Sequence, residues 1–134
     1  MNIYLDIDGV LLINEKFAAP YATEFLKRIL EKYPDSTYWL TTHKWKGVDR
    51  TQEVLTPAFS PETLELIKAI KPTEWGESKT DAIDFTKPFL WFDDDLYPEE
   101  KSVLEAHDAL DSWIGIDLAK NPNQLHEPIE LLFS

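Results

Sequence analysis

Residues 2–12 read NIYLDIDGVLL. Ile3, Tyr4 and Leu5 form a short apolar run with strand character, and Asn2–Asp6 is accordingly predicted to be a strand. Two aspartates, Asp6 and Asp8, follow one residue apart, and Gly9 comes next. Side chains two apart in extended backbone point the same way, so both carboxylates can face one pocket. Gly9 lets the chain turn sharply behind them. Two charges at the end of a buried strand are costly to desolvate, so the rest of the chain has to supply partners that make them useful.

Beyond this stretch, strands alternate with helices. Pro20 is placed to open a helix through YATEFLKRILEKY, with Ala22, Phe25, Leu26, Ile29 and Leu30 at helical spacing. Thr37–Thr42, TYWLTT, reads as a second strand. His43–Ser60 reads as loop with a short helix near Arg50–Leu55. Ser60-Pro61-Glu62 is a helix start, continued by an apolar face at Leu64, Ile67 and Ile70. A brief helix is expected near Lys79–Phe85. PFLWF, Pro88–Phe92, is an apolar run expected of a strand covered on both faces, and it ends in Asp93, Asp94 and Asp95. A helix over Pro98–Leu110, a strand over Trp113–Ile116 and an amphipathic helix over Gln124–Phe133 complete the series. The order predicts an α/β fold with a mostly parallel sheet.

Ligand sites in open α/β sheets form outside the carboxyl ends of the strands. Three predicted strands carry polar groups there: Asp6 and Asp8, then Thr41, then Asp93 and Asp94. Clustered carboxylates repel one another unless a cation sits among them. The chain has no cysteine and only three histidines, and an oxygen-only donor set suits Mg²⁺ with water and substrate phosphate.

This order resembles the haloacid dehalogenase (HAD) superfamily across the whole chain. DIDGV, Asp6–Val10, resembles its DxDG motif; YWLT, ending at Thr41, its second; Lys79 in SKTDAI its third; and FLWFDD, through Asp94, its fourth. The resemblance implies a three-layer Rossmann-like fold and a phosphatase mechanism. Asp6 would be the nucleophile that forms an aspartyl-phosphate, and Asp8 the general acid and base. Mg²⁺ would be held by Asp6, the backbone carbonyl of Asp8 and Asp93, with Asp94 supporting it directly or through water. Thr41, Thr42 and Lys79 would bind phosphoryl oxygens, and His43 would contact substrate. Asp95 could take the place of a neighbouring acid, and Lys71, Lys44 and Lys46 compete with Lys79.

The segments between motifs leave room for no substantial cap domain, so the site is expected to be open. Trp45 and Trp75 are candidates for its rim, while Trp39, Trp91 and Trp113 lie in strand-like runs and are expected in the core. At 134 residues and 43% hydrophobic, the chain suits one domain with a packed core. Its net charge of −12 disfavours long nucleic acids and leaves phosphorylated small molecules or phosphoproteins as substrates. The absence of cysteine, of a membrane-length apolar run and of a leader pattern at the first residues is expected of a cytoplasmic protein. Two other classes share some of these features: a catalytically inactive HAD-like binding module, and a receiver domain that accepts phosphate on an aspartate. In a receiver the first acids are neighbours and the acceptor lies on a central strand, whereas here the DxD spacing and the late acids favour the hydrolase.

Overall fold

A computed structural model describes residues 1–133. It is an α/β fold built on a four-stranded, all-parallel sheet in the order β2-β1-β5-β6. The strands are β1 (Asn2–Leu5), β2 (Thr37–Trp39), β5 (Phe89–Asp93) and β6 (Trp113–Gly115). A separate two-stranded hairpin joins β3 (Lys44–Trp45) to β4 (Val48–Asp49). The helices are α1 (Ala22–Lys32), α2 (Thr51–Leu55), α3 (Pro61–Leu66), α4 (Pro98–Ala106) and α5 (His126–Phe133).

All four residues of β1 are buried, as a central parallel strand requires. The strand's alternation then divides its neighbours. Ile3 and Leu5 join Phe25, Leu26 and Ile29 of α1 and Ile129 of α5 in one cluster. Tyr4 joins Trp91 of β5 and Leu104 of α4 in another. The helical spacing in α1 is realised: Ala22, Phe25, Leu26, Ile29 and Leu30 are its buried residues. Phe25 meets Phe92 edge to face at 5.1 Å. Each such side chain, fully buried, stabilises the fold by roughly 1.5–3 kcal/mol.

Several boundaries differ from expectation. The second strand ends at Trp39 rather than Thr42, because the Leu40 amide makes the last ladder bond to Leu5 and the chain then turns. The helix expected from Pro20 begins at Ala22, since Tyr21 sits in left-handed backbone at φ 66°. The apolar face through Ile70 lies partly on a single 3-10 turn, Ile67–Ala69, after α3 ends. Lys79–Ala82 is likewise one 3-10 turn rather than a helix reaching Phe85. The helix from Pro98 stops at Ala106, where Asp108 adopts φ 55°. β6 stops one residue earlier, at Gly115, and α5 starts two later, at His126. Trp113, expected in the core, is only half-buried because β6 is an edge strand. The β3–β4 hairpin stands where only loop was expected; its turn residues Lys46 and Gly47 both have positive φ, 49° and 82°, as a tight primed turn demands.

The chain passes from β1 to β2 on one side and returns to β5 on the other, so the crevice between β1 and β5 is the topological switch point. No helix among the described residues is long and apolar enough to cross a membrane.

Candidate active site

The carboxyl ends of β1 and β5 put three aspartates into that crevice. The Asp6 amide donates to the Phe92 carbonyl at 3.0 Å, extending the ladder one residue past β1 and fixing Asp6 beside the end of β5. Asp6 is 7% exposed and Asp93 2%. Asp93 Oδ1 accepts the amides of Asp94 (2.8 Å) and Asp95 (3.3 Å), so the turn after β5 folds around its own carboxylate. Asp6, Asp93 and Asp94 each offer an oxygen within 4.8 Å of the others'. Asp95 is exposed and outside this trio.

Lys79 closes the group from a different segment. It is the first residue of the 3-10 turn, which Ser78 caps by accepting the Thr80 amide at 3.3 Å while Asp81 accepts the Ser78 amide. The cap fixes the turn, and the ammonium reaches Asp93 Oδ2 at 2.7 Å and Asp6 Oδ2 at 3.5 Å. Burial alone would depress the lysine, but Asp6 and Asp93 outweigh it and hold the ammonium above its ordinary range. That one cation is not enough for the acids. Burial, then repulsion from Asp93, push the Asp6 carboxyl up to about 8. Desolvation, then hydrogen bonding to and repulsion from Asp93, push Asp94 to about 6. An unmet negative charge on oxygen ligands alone is the chemistry that fits a hard divalent cation.

The other candidate lysines point elsewhere. Lys71 donates to the Asp35 carbonyl at 2.8 Å, and its backbone bridges the outer edge of β2. Lys44 is buried against Glu74 at 2.8 Å. Lys46 lies over the Trp45 ring, 4.5 Å from its centroid.

Asp8, expected to act beside Asp6, stands apart from the trio. Its side chain is 65% exposed, and Oδ2 lies 2.8 Å from His43 Nε2. Thr41 is fully buried, and its hydroxyl oxygen accepts the His43 amide at 3.3 Å. The exposed Thr42, not Thr41, lines the cavity over the acids, because the chain has already left strand geometry. His43 therefore meets Asp8 rather than the cavity floor.

The cavity holds about 470 Å³. Trp75 forms part of its wall and stacks on Trp45 at 5.5 Å; Trp45 itself donates from Nε1 to the Gly76 carbonyl and is not in the lining. Among the described residues eight of those lining it are acidic (Asp6, Asp8, Glu77, Asp93, Asp94, Asp95, Glu99 and Glu100), against Lys79 alone. Glu77, Ser78, Tyr97, Glu99 and Glu100 escaped the sequence reading. Glu100 is 5% exposed, and burial raises its carboxyl. The signal for it was present: it stands three residues after Tyr97, whose amide it accepts at 3.0 Å, with Pro98 at the first helical position.

Gly9 is required twice. Its φ of 74° disfavours any side chain, and a Cβ there would fall 2.3 Å from Asp94 Oδ2 and 2.8 Å from Asp94 Cβ. Gly9→Ala is expected to cost about 1–2 kcal/mol from the backbone alone and to push Asp94 out of the trio. Thermal melting with and without Mg²⁺ should show a lowered midpoint and a smaller gain on adding the ion than in wild type.

Comparison with family models, curated proteins and solved structures gives no match to this chain.

Proposed function

We propose that the chain is a Mg²⁺-dependent phosphohydrolase with a three-layer, HAD-like fold and no substantial cap, acting in the cytoplasm on phosphorylated small molecules or phosphoproteins. The observation that carries this reading is the trio Asp6, Asp93 and Asp94 gathered around Lys79 at the β1/β5 switch point. Asp6, Asp93 and the Asp8 carbonyl would hold Mg²⁺, with Asp94 beside them. Bound there, the ion offsets the repulsion between a carboxylate nucleophile and a phosphate.

In the first step an Asp6 oxygen attacks phosphorus, and the bond from phosphorus to the ester oxygen breaks. Asp8 gives its proton to the departing oxygen. In the second step water attacks the aspartyl-phosphate, its proton passes to Asp8, and the bond from phosphorus to Asp6 breaks to free inorganic phosphate. Asp8 suits both transfers: it is exposed at the cavity wall, two residues after the nucleophile. Thr42 and Lys79 hold the phosphoryl oxygens, while buried Thr41 supports the loop that carries Thr42.

The eight carboxylates around the cavity disfavour a polyanionic nucleic acid. Phosphate release from 4-nitrophenyl phosphate should rise about a hundredfold or more from EDTA to Mg²⁺, the equivalent of a few kcal/mol of transition-state stabilisation. Equal rates in both conditions would sink the metal-dependent reading.

A further inference from the structure

The hydrogen bond between His43 and Asp8 carries a role for His43 that differs from contact with substrate. We infer that His43 is a positioning residue that holds the Asp8 carboxyl in the orientation needed for both proton transfers; the inference rests on the hydrolase reading above.

Asp8 is otherwise poorly restrained. Its side chain is mostly in solvent, and among the described residues its only hydrogen-bonding side-chain partner is His43 Nε2 at 2.8 Å. An exposed carboxylate samples several rotamers, and a general acid has to sit within hydrogen-bond reach of the oxygen it serves. His43 is better fixed. Its side chain is 22% exposed, and its backbone is clamped on both sides of the residue: its amide donates to the Thr41 hydroxyl at 3.3 Å and its carbonyl accepts from Arg50 at 2.7 Å. Thr41 is in turn fully buried. A chain of contacts therefore runs from the end of β2 through Thr41 and His43 to Asp8, and ties the acid to the rigid sheet. The imidazole tautomer sets the direction of this hydrogen bond: Nε2 donates to Asp8 Oδ2 when it carries the hydrogen and accepts when Nδ1 does.

The other charged groups near the cavity do not offer the same support. Lys79 is engaged with Asp6 and Asp93, and Lys44 with Glu74.

The test compares wild type, His43→Ala, His43→Gln and Asp6→Asn with 4-nitrophenyl phosphate and phenyl phosphate in saturating Mg²⁺. The two esters have nearly the same shape, but 4-nitrophenolate leaves without needing a proton. For His43→Ala, kcat/KM with phenyl phosphate should fall about 10–100-fold, a fraction of what general acid catalysis supplies. With 4-nitrophenyl phosphate, kcat/KM should stay within about threefold of wild type, whereas kcat falls because hydrolysis of the aspartyl-phosphate still needs Asp8. His43→Gln, which keeps a side-chain donor and acceptor, should recover most of the loss.

Loss of kcat/KM by the same factor for both esters, or a rise in KM for both, would assign His43 to structure or to phosphate contact and overturn the inference. So would a His43→Ala enzyme equal to wild type on phenyl phosphate while Asp6→Asn is inactive; in that case the hydrolase reading survives. Turnover in Asp6→Asn equal to wild type, or none in wild type with either ester, would remove the hydrolase reading and the role of His43 with it.

Discussion

Asp6→Asn is expected to abolish turnover and, in EDTA, to make the protein more stable. The loss of activity should be on the order of 10⁴-fold or more, the scale on which removing a covalent nucleophile acts. The gain in stability follows from where Asp6 sits. Its carboxyl is pushed up to about 8 from an ordinary 3.8 by burial and by Asp93. In the unfolded chain the group ionises near its ordinary value, so between those two pH values the folded state keeps a proton that the unfolded state has lost. Folding stability from this residue therefore falls as pH rises from about 4 to about 8. Asparagine has no such charge, and Lys79 still pairs with Asp93 at 2.7 Å. Each pK unit is worth about 1.4 kcal/mol, so even part of this shift should appear as several degrees in melting temperature. Melting curves in EDTA at pH 5 and pH 8.5 check it: the variant's advantage should be small at the lower pH and larger at the higher. Mg²⁺ should reverse the order at pH 8.5 by stabilising the ionised wild type alone. An unchanged gap across pH would mean that Asp6 carries no such burden.

Lys79→Met is expected to act in the opposite direction on stability. Among the described residues the ammonium is the only cation lining a cavity with eight acidic residues, and its side chain is 13% exposed. Removing it leaves Asp6 and Asp93 facing each other without a counter-charge. Breaking a buried ion pair in this way costs about 3–5 kcal/mol, which for a chain of this size lowers the melting point by roughly 10 °C or more in EDTA. Mg²⁺ should restore a larger share of the loss than it adds to wild type, because the ion then meets the acids with no ammonium competing for Asp6 Oδ2 and Asp93 Oδ2. Turnover should nonetheless fall about 10²–10³-fold, since a preorganised positive group at the developing charge is gone. Tighter Mg²⁺ binding with slower turnover is the signature, read by calorimetric titration and phosphate release. Weaker binding together with slower turnover would place Lys79 in support of the metal instead.

Sequence periodicity and residue type carried most of the sheet. β1 and β5 are apolar on both faces and end in acids, and those features survive into the fold because parallel strands at the centre of a sheet are buried on both sides. The trio Asp6, Asp93 and Asp94 could be read for the same reason: each acid sits at or just past a strand end. What could not be read depended on where strands stop. TYWLTT has strand character throughout, yet the ladder ends after Leu40, so alternation no longer says which threonine faces the cavity. The β3–β4 hairpin has strands of two residues each, too short for any period; only the Lys46-Gly47 turn hinted at it. The choice among the lysines was a tertiary matter, decided by Asp35, Glu74 and Trp45 lying close to the three that were not Lys79. The pairing of Asp8 with His43 joins residues from two loops and leaves no trace in local pattern.

β1 precedes the other strands in sequence order, but it lies inside the sheet, between β2 and β5. A nascent chain emerging from the ribosome can pair β1 with β2 early, yet Asp93 and Asp94 arrive only with β5. Until then Asp6 lacks its acidic neighbours Asp93 and Asp94. On the proposed reading, metal affinity would be a property of the completed topology, and closing β5 onto β1 is a long-range event of the kind that slows folding. Magnesium present during refolding should accordingly leave the early, local phase untouched and retard unfolding of the finished protein.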